Sequence, residues 1–258
     1  MKKDKYQGYE QRQIQYKNKT IPYLLKYDNI NSYAKRSFQD GVFSIVLNKN
    51  NLINPDKIMG AYLKRMGEYY GYMLSCDYNE FMFLGEMYSY TYKNFGLIII
   101  KKLSNNEIWK TLDASANKQD DKNYIYSIVK EFIKDELLKI LQQFTTECFQ
   151  NKIPNGYLYP SVEISFNQSN YYGIYYSKNA KTKAPLIKYV FLSHVFPLSV
   201  LKYLAVHEAS HHIIRVLNPT RSAGHNKFFW KIVNDLEPNS KKLDWELKNF
   251  SSDRYLNK

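Results

Sequence analysis

From Ile21 the chain runs in short β-prone stretches, "IPYLLKY", "SYAKRSF" and "GVFSIVLN", separated by "DNIN" and "QDG". Short β-prone runs divided by such turn-forming segments predict a small antiparallel meander. Residues 1–18 carry no apolar period and are expected to form a flexible basic tail. Asn54, Pro55 and the spaced apolar residues of "NPDKIMGAYLKRMGEYYGYM" predict a capped helix. "EFMFLGEMYSYTYKNFGLIIIKKL" returns to strand, with turns at Gly85 and "KNFG".

Beyond the polar connection "ASANKQDDKN" the period changes. Ile125, Val129, Phe132, Ile133, Leu137, Ile140, Leu141 and Phe144 recur at helical spacing, which predicts one long amphipathic helix to about Phe149. "NKIPNGYLYP" breaks the chain, and "SVEISF", "YYGIYYS" and "IKYVFLSHVF" read as strands, the last ending at Pro197. A further helix is expected from about Leu198, and its sequence brings in chemistry.

The stretch "LAVHEASHHIIRVLNPTRSAGHNKFFW", Leu204 to Trp230, holds four of the five histidines. Residues four apart on a helix stand on one face, so His207 and His211 present two imidazoles to one point. Zn²⁺ takes imidazole nitrogen, and a catalytic site keeps three protein ligands with the fourth position open. Glu208 is rotated about 100° from His207, off the metal but beside its water, where a carboxylate can act as base. The third ligand must come from elsewhere. His225, fourteen residues past His211 and beyond the turn "NPTRSAG", is the best candidate, with Asp235 and Glu237 as alternatives. Phe228, Phe229 and Trp230 would anchor the next helix. His212 reads as a packed or exposed histidine, and His194 as structural or facing the cleft.

Composition changes this picture little. With 258 residues and 44% hydrophobic, the chain can bury one large domain or two small lobes. A net charge of +13 favours anionic partners, but Lys, Asn, Ile and Tyr crowd every segment, so the charge is expected to spread over solvated faces. Cys76 and Cys148 form no CxxC pair, which argues against a cysteine zinc site and for a reducing compartment. The longest apolar run, "FGLIII", is far too short to span a bilayer, so a soluble, cytoplasmic protein without a membrane partner is expected.

The "HEASH" helix followed by "GHNKFFW" resembles the YgjP-like metallopeptidase family, related to the SprT-like zincins. "LSHVFPLSVLKYLAVHEASH", "EPNSKKLDWELK" and "LGEMYSY" are similar to further segments of that family. The resemblance implies an α+β fold: a zincin-like metallohydrolase core over 121–258 behind an N-terminal antiparallel β-rich lobe over 19–120. It implies His207, His211 and His225 as zinc ligands and Glu208 as catalytic base in hydrolysis of a peptide or protein substrate. Some relatives act on UTP as pyrophosphatases, a second reading in which Lys178, Lys181, Lys183, Lys188 and Arg221 would supply cations. A third reading, a DNA-associated protease of the SprT type, draws on the net charge and the longer ligand spacing. A zinc ion merely holding two helices would normally close its fourth position.

Overall fold

A computed structural model describes residues 7–16, 19–30, 34–39, 42–50, 52–70, 79–93, 96–118, 121–150, 152–166, 171–178, 184–220 and 224–248. The first sheet contains β1 (Glu10–Tyr16), β2 (Lys19–Asp28), β3 (Ala34–Gln39) and β4 (Val42–Asn48), in the order β1-β2-β4-β3. Two expectations are corrected here. Residues 10–16, placed by sequence in a flexible tail, form an edge strand paired antiparallel with β2. An edge strand needs backbone pairing and few apolar contacts, and Ile14 and Tyr16 supply those against the core. Nor is the sheet a purely antiparallel meander, because β2 and β4 run parallel. Phe43, Ile45 and Leu47 of β4 are all buried and match the buried Ile21, Tyr23 and Leu25 of β2. The polar β3, with Lys35 and Arg36 exposed, takes the edge instead.

Helix α1 (Pro55–Tyr70) covers this sheet with Ile58, Met59, Tyr62 and Leu63. Asn54 Oδ1 accepts the Asp56 N–H at 2.8 Å, the expected cap. The Tyr23 hydroxyl donates to Asp56 at 2.5 Å, and Tyr62 meets Phe43 edge-on, fixing the helix to β2 and β4.

The second sheet is an antiparallel meander of β5 (Glu80–Phe83), β6 (Glu86–Lys93), β7 (Leu97–Lys102) and β8 (Ile108–Asp113). Its first turn, Leu84-Gly85, has positive φ at both residues (53° and 81°), the backbone of a tight hairpin. That turn docks on the segment leading into the histidine helix: Leu84 N–H donates to His194 O at 2.8 Å, and Gly85 abuts Pro197. Trp109 of β8 packs on Phe132, tying the sheet to the long helix α2 (Lys122–Gln150). Ile125, Val129, Ile133, Leu137 and Leu141 bury the inner face of α2 along α3 (Leu198–Leu217), as their spacing predicts.

The third sheet positions the site. It comprises β9 (Ser161–Ser165), β10 (Gly173–Tyr176) and β11 (Leu186–Val190) in the order β10-β11-β9, with β11 parallel to β9 and antiparallel to β10. "IKYVFLSHVF" is therefore a central strand only to Val190. Phe191–Val195 turn into a 3-10 helix, where Ser193 Oγ donates to Val190 O at 2.7 Å and ends the ladder. Helices α4 (Lys227–Leu236) and α5 (Ser240–Lys248) pack on α3. The molecule is α+β, with three sheets and five α-helices among the described residues.

His194 lies in that 3-10 helix, 1% exposed, its ring stacked on Phe191 and Nδ1–H donating to Phe191 O at 2.7 Å. It faces the interior rather than the cleft. Burial lowers its pKa from 6.5 to about 4. The unfolded chain then binds the proton that the folded chain refuses, so stability present above pH 6.5 is lost as pH falls toward 4. The gap is worth about 3 kcal/mol. Urea unfolding at pH 7 and pH 4 should show His194→Leu losing less stability than wild type by about that amount. Equal losses would show that His194 is not the titrating group.

Candidate metal centre

Helix α3 begins directly after Pro197 and ends where Asn218 N–H bonds to Ile214 O ahead of Pro219. Val200, Leu201, Leu204, Ala205 and Ile213 are buried, which holds the helix rigidly in the core. His207 and His211 stand one turn apart on its cleft side. Asn226 caps α4, its Oδ1 accepting Phe228 N–H at 3.0 Å and Phe229 N–H at 3.1 Å. His225 is the residue before that cap, so the cap fixes where its ring enters. Phe229, fully buried, lies beneath all three imidazoles with ring centroids 5.0, 4.6 and 4.7 Å from His207, His211 and His225. The spacing of "HNKFFW" thus supplies an imidazole, a cap and an aromatic floor in one stretch.

One nitrogen from each of His207, His211 and His225 lies within 4.8 Å of the other two, and Nε2 of His207 and His225 are 3.0 Å apart. Ligands about 2.0–2.1 Å from a tetrahedral zinc are about 3.3 Å from each other, so the three rings fit such an ion. Burial first, then the neighbouring His211 and His225, push the His207 pKa down to about 3, so this ring stays neutral with a lone pair to give. Asp235 and Glu237 stand elsewhere: Asp235 pairs with Lys152 at 3.7 Å and Glu237 accepts Asn239 N–H at 3.1 Å.

Glu208 is 5% exposed, and burial raises its pKa to about 8, opposed by a hydrogen bond from the Tyr175 N–H. The strand beside it is β10. Tyr172 O accepts the Val190 N–H, so residues of that parity bond β11 while Gly173 and Tyr175 turn their backbone groups outward. The cleft edge is therefore β10, because β11 is paired on both sides. Gly173 passes so close that a Cβ there would lie 2.7 Å from Glu208 Cγ. The cleft, about 400 Å³, is lined by His207, Glu208, His211, His225, Tyr175 and Arg215 together with neighbouring β10 residues.

His212 packs, as its position on the helix suggests. Its Nε2–H donates to Leu158 O at 3.1 Å, leaving Nδ1 to accept from the Tyr175 hydroxyl at 3.1 Å. Tyr175 thereby connects β10 to α3 twice, through its N–H to Glu208 and through its hydroxyl to His212. The sequence did not single out Gly173, Tyr175 or Arg215; only Arg215 left a signal, four residues past His211. Of the expected cations, Lys188 pairs with Glu163 at 3.7 Å. Lys181, Lys183 and Arg221 lie outside the described residues, as does Cys76. Burial pushes the Cys148 thiol up to about 12, so it offers no thiolate. On the far side, Tyr203 donates to Asp244 of α5 at 3.0 Å, bracing the helix behind His207.

An α+β protein whose cleft gathers three imidazoles beside one buried carboxylate has the layout of a metal-binding domain. The YgjP-like, metallopeptidase domain family matches residues 75–250, more than half of the chain, and the chain belongs to that family. The family is one of metallopeptidases and implies a metal. Strands β1–β4 and the whole of α1 precede the matched region. Comparison with curated proteins and with solved structures finds no match. No helix among the described residues is long and apolar enough to cross a membrane.

Proposed function

We propose that this chain is a zinc-dependent metallopeptidase with a zincin-like core, in which His207, His211 and His225 hold the metal and Glu208 is the catalytic base. The observation that carries this reading is the convergence of three ring nitrogens within 4.8 Å on the cleft that Glu208 also lines. A zinc ion held by His207, His211 and His225 would supply Lewis-acid polarisation of the scissile carbonyl and a lower pKa for water. The positive charge of a metal on the three imidazoles would draw the Glu208 pKa back down from its buried value. The ionised carboxylate then accepts the proton of the attacking water as the C–O bond forms and returns it to the leaving nitrogen as the C–N bond breaks. The Tyr175 N–H keeps the carboxylate aimed into the cleft. An extended substrate lies along β10, where Gly173 and the Tyr175 carbonyl offer outward backbone groups.

Among the described residues the cleft holds a single cationic side chain, Arg215, which is sparse for a triphosphate. The test pairs unfolded casein with UTP as substrates for protein loaded with one equivalent of zinc. Peptide-bond cleavage that stops on chelation and returns with zinc is expected. Hydrolysis of UTP with casein left intact would overturn the peptidase reading, and failure to bind zinc would overturn the centre itself.

A further inference from the structure

Arg215 follows His211 by four residues, as His211 follows His207, so the three side chains stand in one row along α3. The row starts at the metal centre and ends about 6 Å farther along the helix axis. Arg215 is exposed and lines the same cleft. Its Nη1 donates to Pro219 O at 3.3 Å, and among the described residues no carboxylate pairs with it. Lys152, Lys188 and Lys248, by contrast, all have acidic partners. A basic residue in the last turn gains from the helix dipole wherever it points; the dipole does not account for its pointing into the cleft. Tyr175 forms the facing wall, near enough for the guanidinium charge to oppose the effect of burial on its phenol. Most of the guanidinium donors remain free, in the planar fork that matches a carboxylate.

We propose that Arg215 is a specificity-determining residue that binds a substrate carboxylate about two residues from the scissile bond. That distance follows from about 6 Å along α3 against about 3.3 Å per residue of extended peptide. The inference rests on the metallopeptidase reading, and it makes the cleft selective for peptides carrying Asp, Glu or a terminal carboxylate at that position.

The probe is a set of blocked host peptides with Glu, Gln or Lys placed at each position in turn, plus the same host with a free C-terminus. Cleavage is measured as kcat/KM for wild type and Arg215→Gln. Binding is measured by fluorescence anisotropy on zinc-loaded Glu208→Gln protein with and without the Arg215 change. The expected result is a Glu-over-Gln preference of about tenfold or more at one position. It should collapse to within about twofold in Arg215→Gln and turn toward Lys in Arg215→Glu. Preference for the free C-terminus instead identifies the terminal carboxylate as the group bound. Equal handling of Glu and Gln by wild type, or a preference that survives Arg215→Gln, overturns the proposal. If no peptide is cleaved, the peptidase reading fails while the binding measurement still decides the anchor. Binding of UTP but of no acidic peptide, lost in Arg215→Gln, would assign the guanidinium to phosphate and overturn it.

Discussion

Glu208→Gln is expected to lower peptide hydrolysis by about 10²- to 10⁴-fold while the protein still binds zinc and stays folded. The substitution keeps the volume of the side chain and keeps an oxygen to accept the Tyr175 N–H. What disappears is the capacity to take a proton. Among the described residues no other acid can compensate, because Glu208 is the only acidic one of them lining the cleft. Metal analysis, thermal unfolding and kcat on one peptide substrate check the three parts separately. Retention of wild-type kcat would remove the base from the mechanism. Loss of zinc together with activity would instead mark the carboxylate as part of the metal's support.

The parts of this site written in local sequence were legible, and the parts made by long-range packing were not. His207, His211 and Glu208 follow from helix geometry within five residues, and "HNKFFW" sets His225, its cap and Phe229 within one turn. The long α2 was readable because one buried stripe runs its whole length. By contrast, Gly173 and Glu208 are thirty-five residues apart in sequence, and nothing in "YYGIYY" tells that its glycine will pass over a carboxylate. The pairing of Tyr175 with His212 is equally non-local.

Strand order failed for the same reason. A run of alternating residues marks a strand but not its neighbour, and β2 chose the apolar β4 over the polar β3 that precedes it in sequence. "LIKYVFLSHV" is mostly apolar, a pattern shared by a buried strand and a buried 3-10 turn. The chain changes from one to the other at Val190, where Ser193 takes the carbonyl oxygen. "EQRQIQY" shows too few apolar residues to be read as strand, yet the open edge of β2 recruits it.

That close passage yields the second large effect, in Gly173→Ala. A methyl group built on Gly173 would lie 2.7 Å from Glu208 Cγ, 2.9 Å from Oε1 and 3.0 Å from Cδ, all well inside van der Waals contact. The contact is with the stem of the side chain as well as its tip, so a small rotation of the carboxylate does not relieve it. Glu208 is enclosed, and β10 is held by its ladder to β11 and by the Tyr175–His212 bond. Either the base turns away from the cleft or the strand lifts off α3. Displacing a catalytic group by about 1 Å costs about 10²-fold in rate, and overpacking a buried contact costs about 1–3 kcal/mol in stability. Both losses are expected for Gly173→Ala, read as kcat on a peptide and as the urea midpoint. The cause is separable by a double-mutant cycle with Glu208→Ala, which removes Cγ, Cδ and the oxygens. In that background the stability cost of Gly173→Ala should vanish, because the methyl fills the space the glutamate has left. A cost that persists there would place the strain in the backbone of β10 rather than against the base. A Gly173→Ala enzyme with wild-type kcat would mean that Glu208 is free to move and is not held in place by the strand edge.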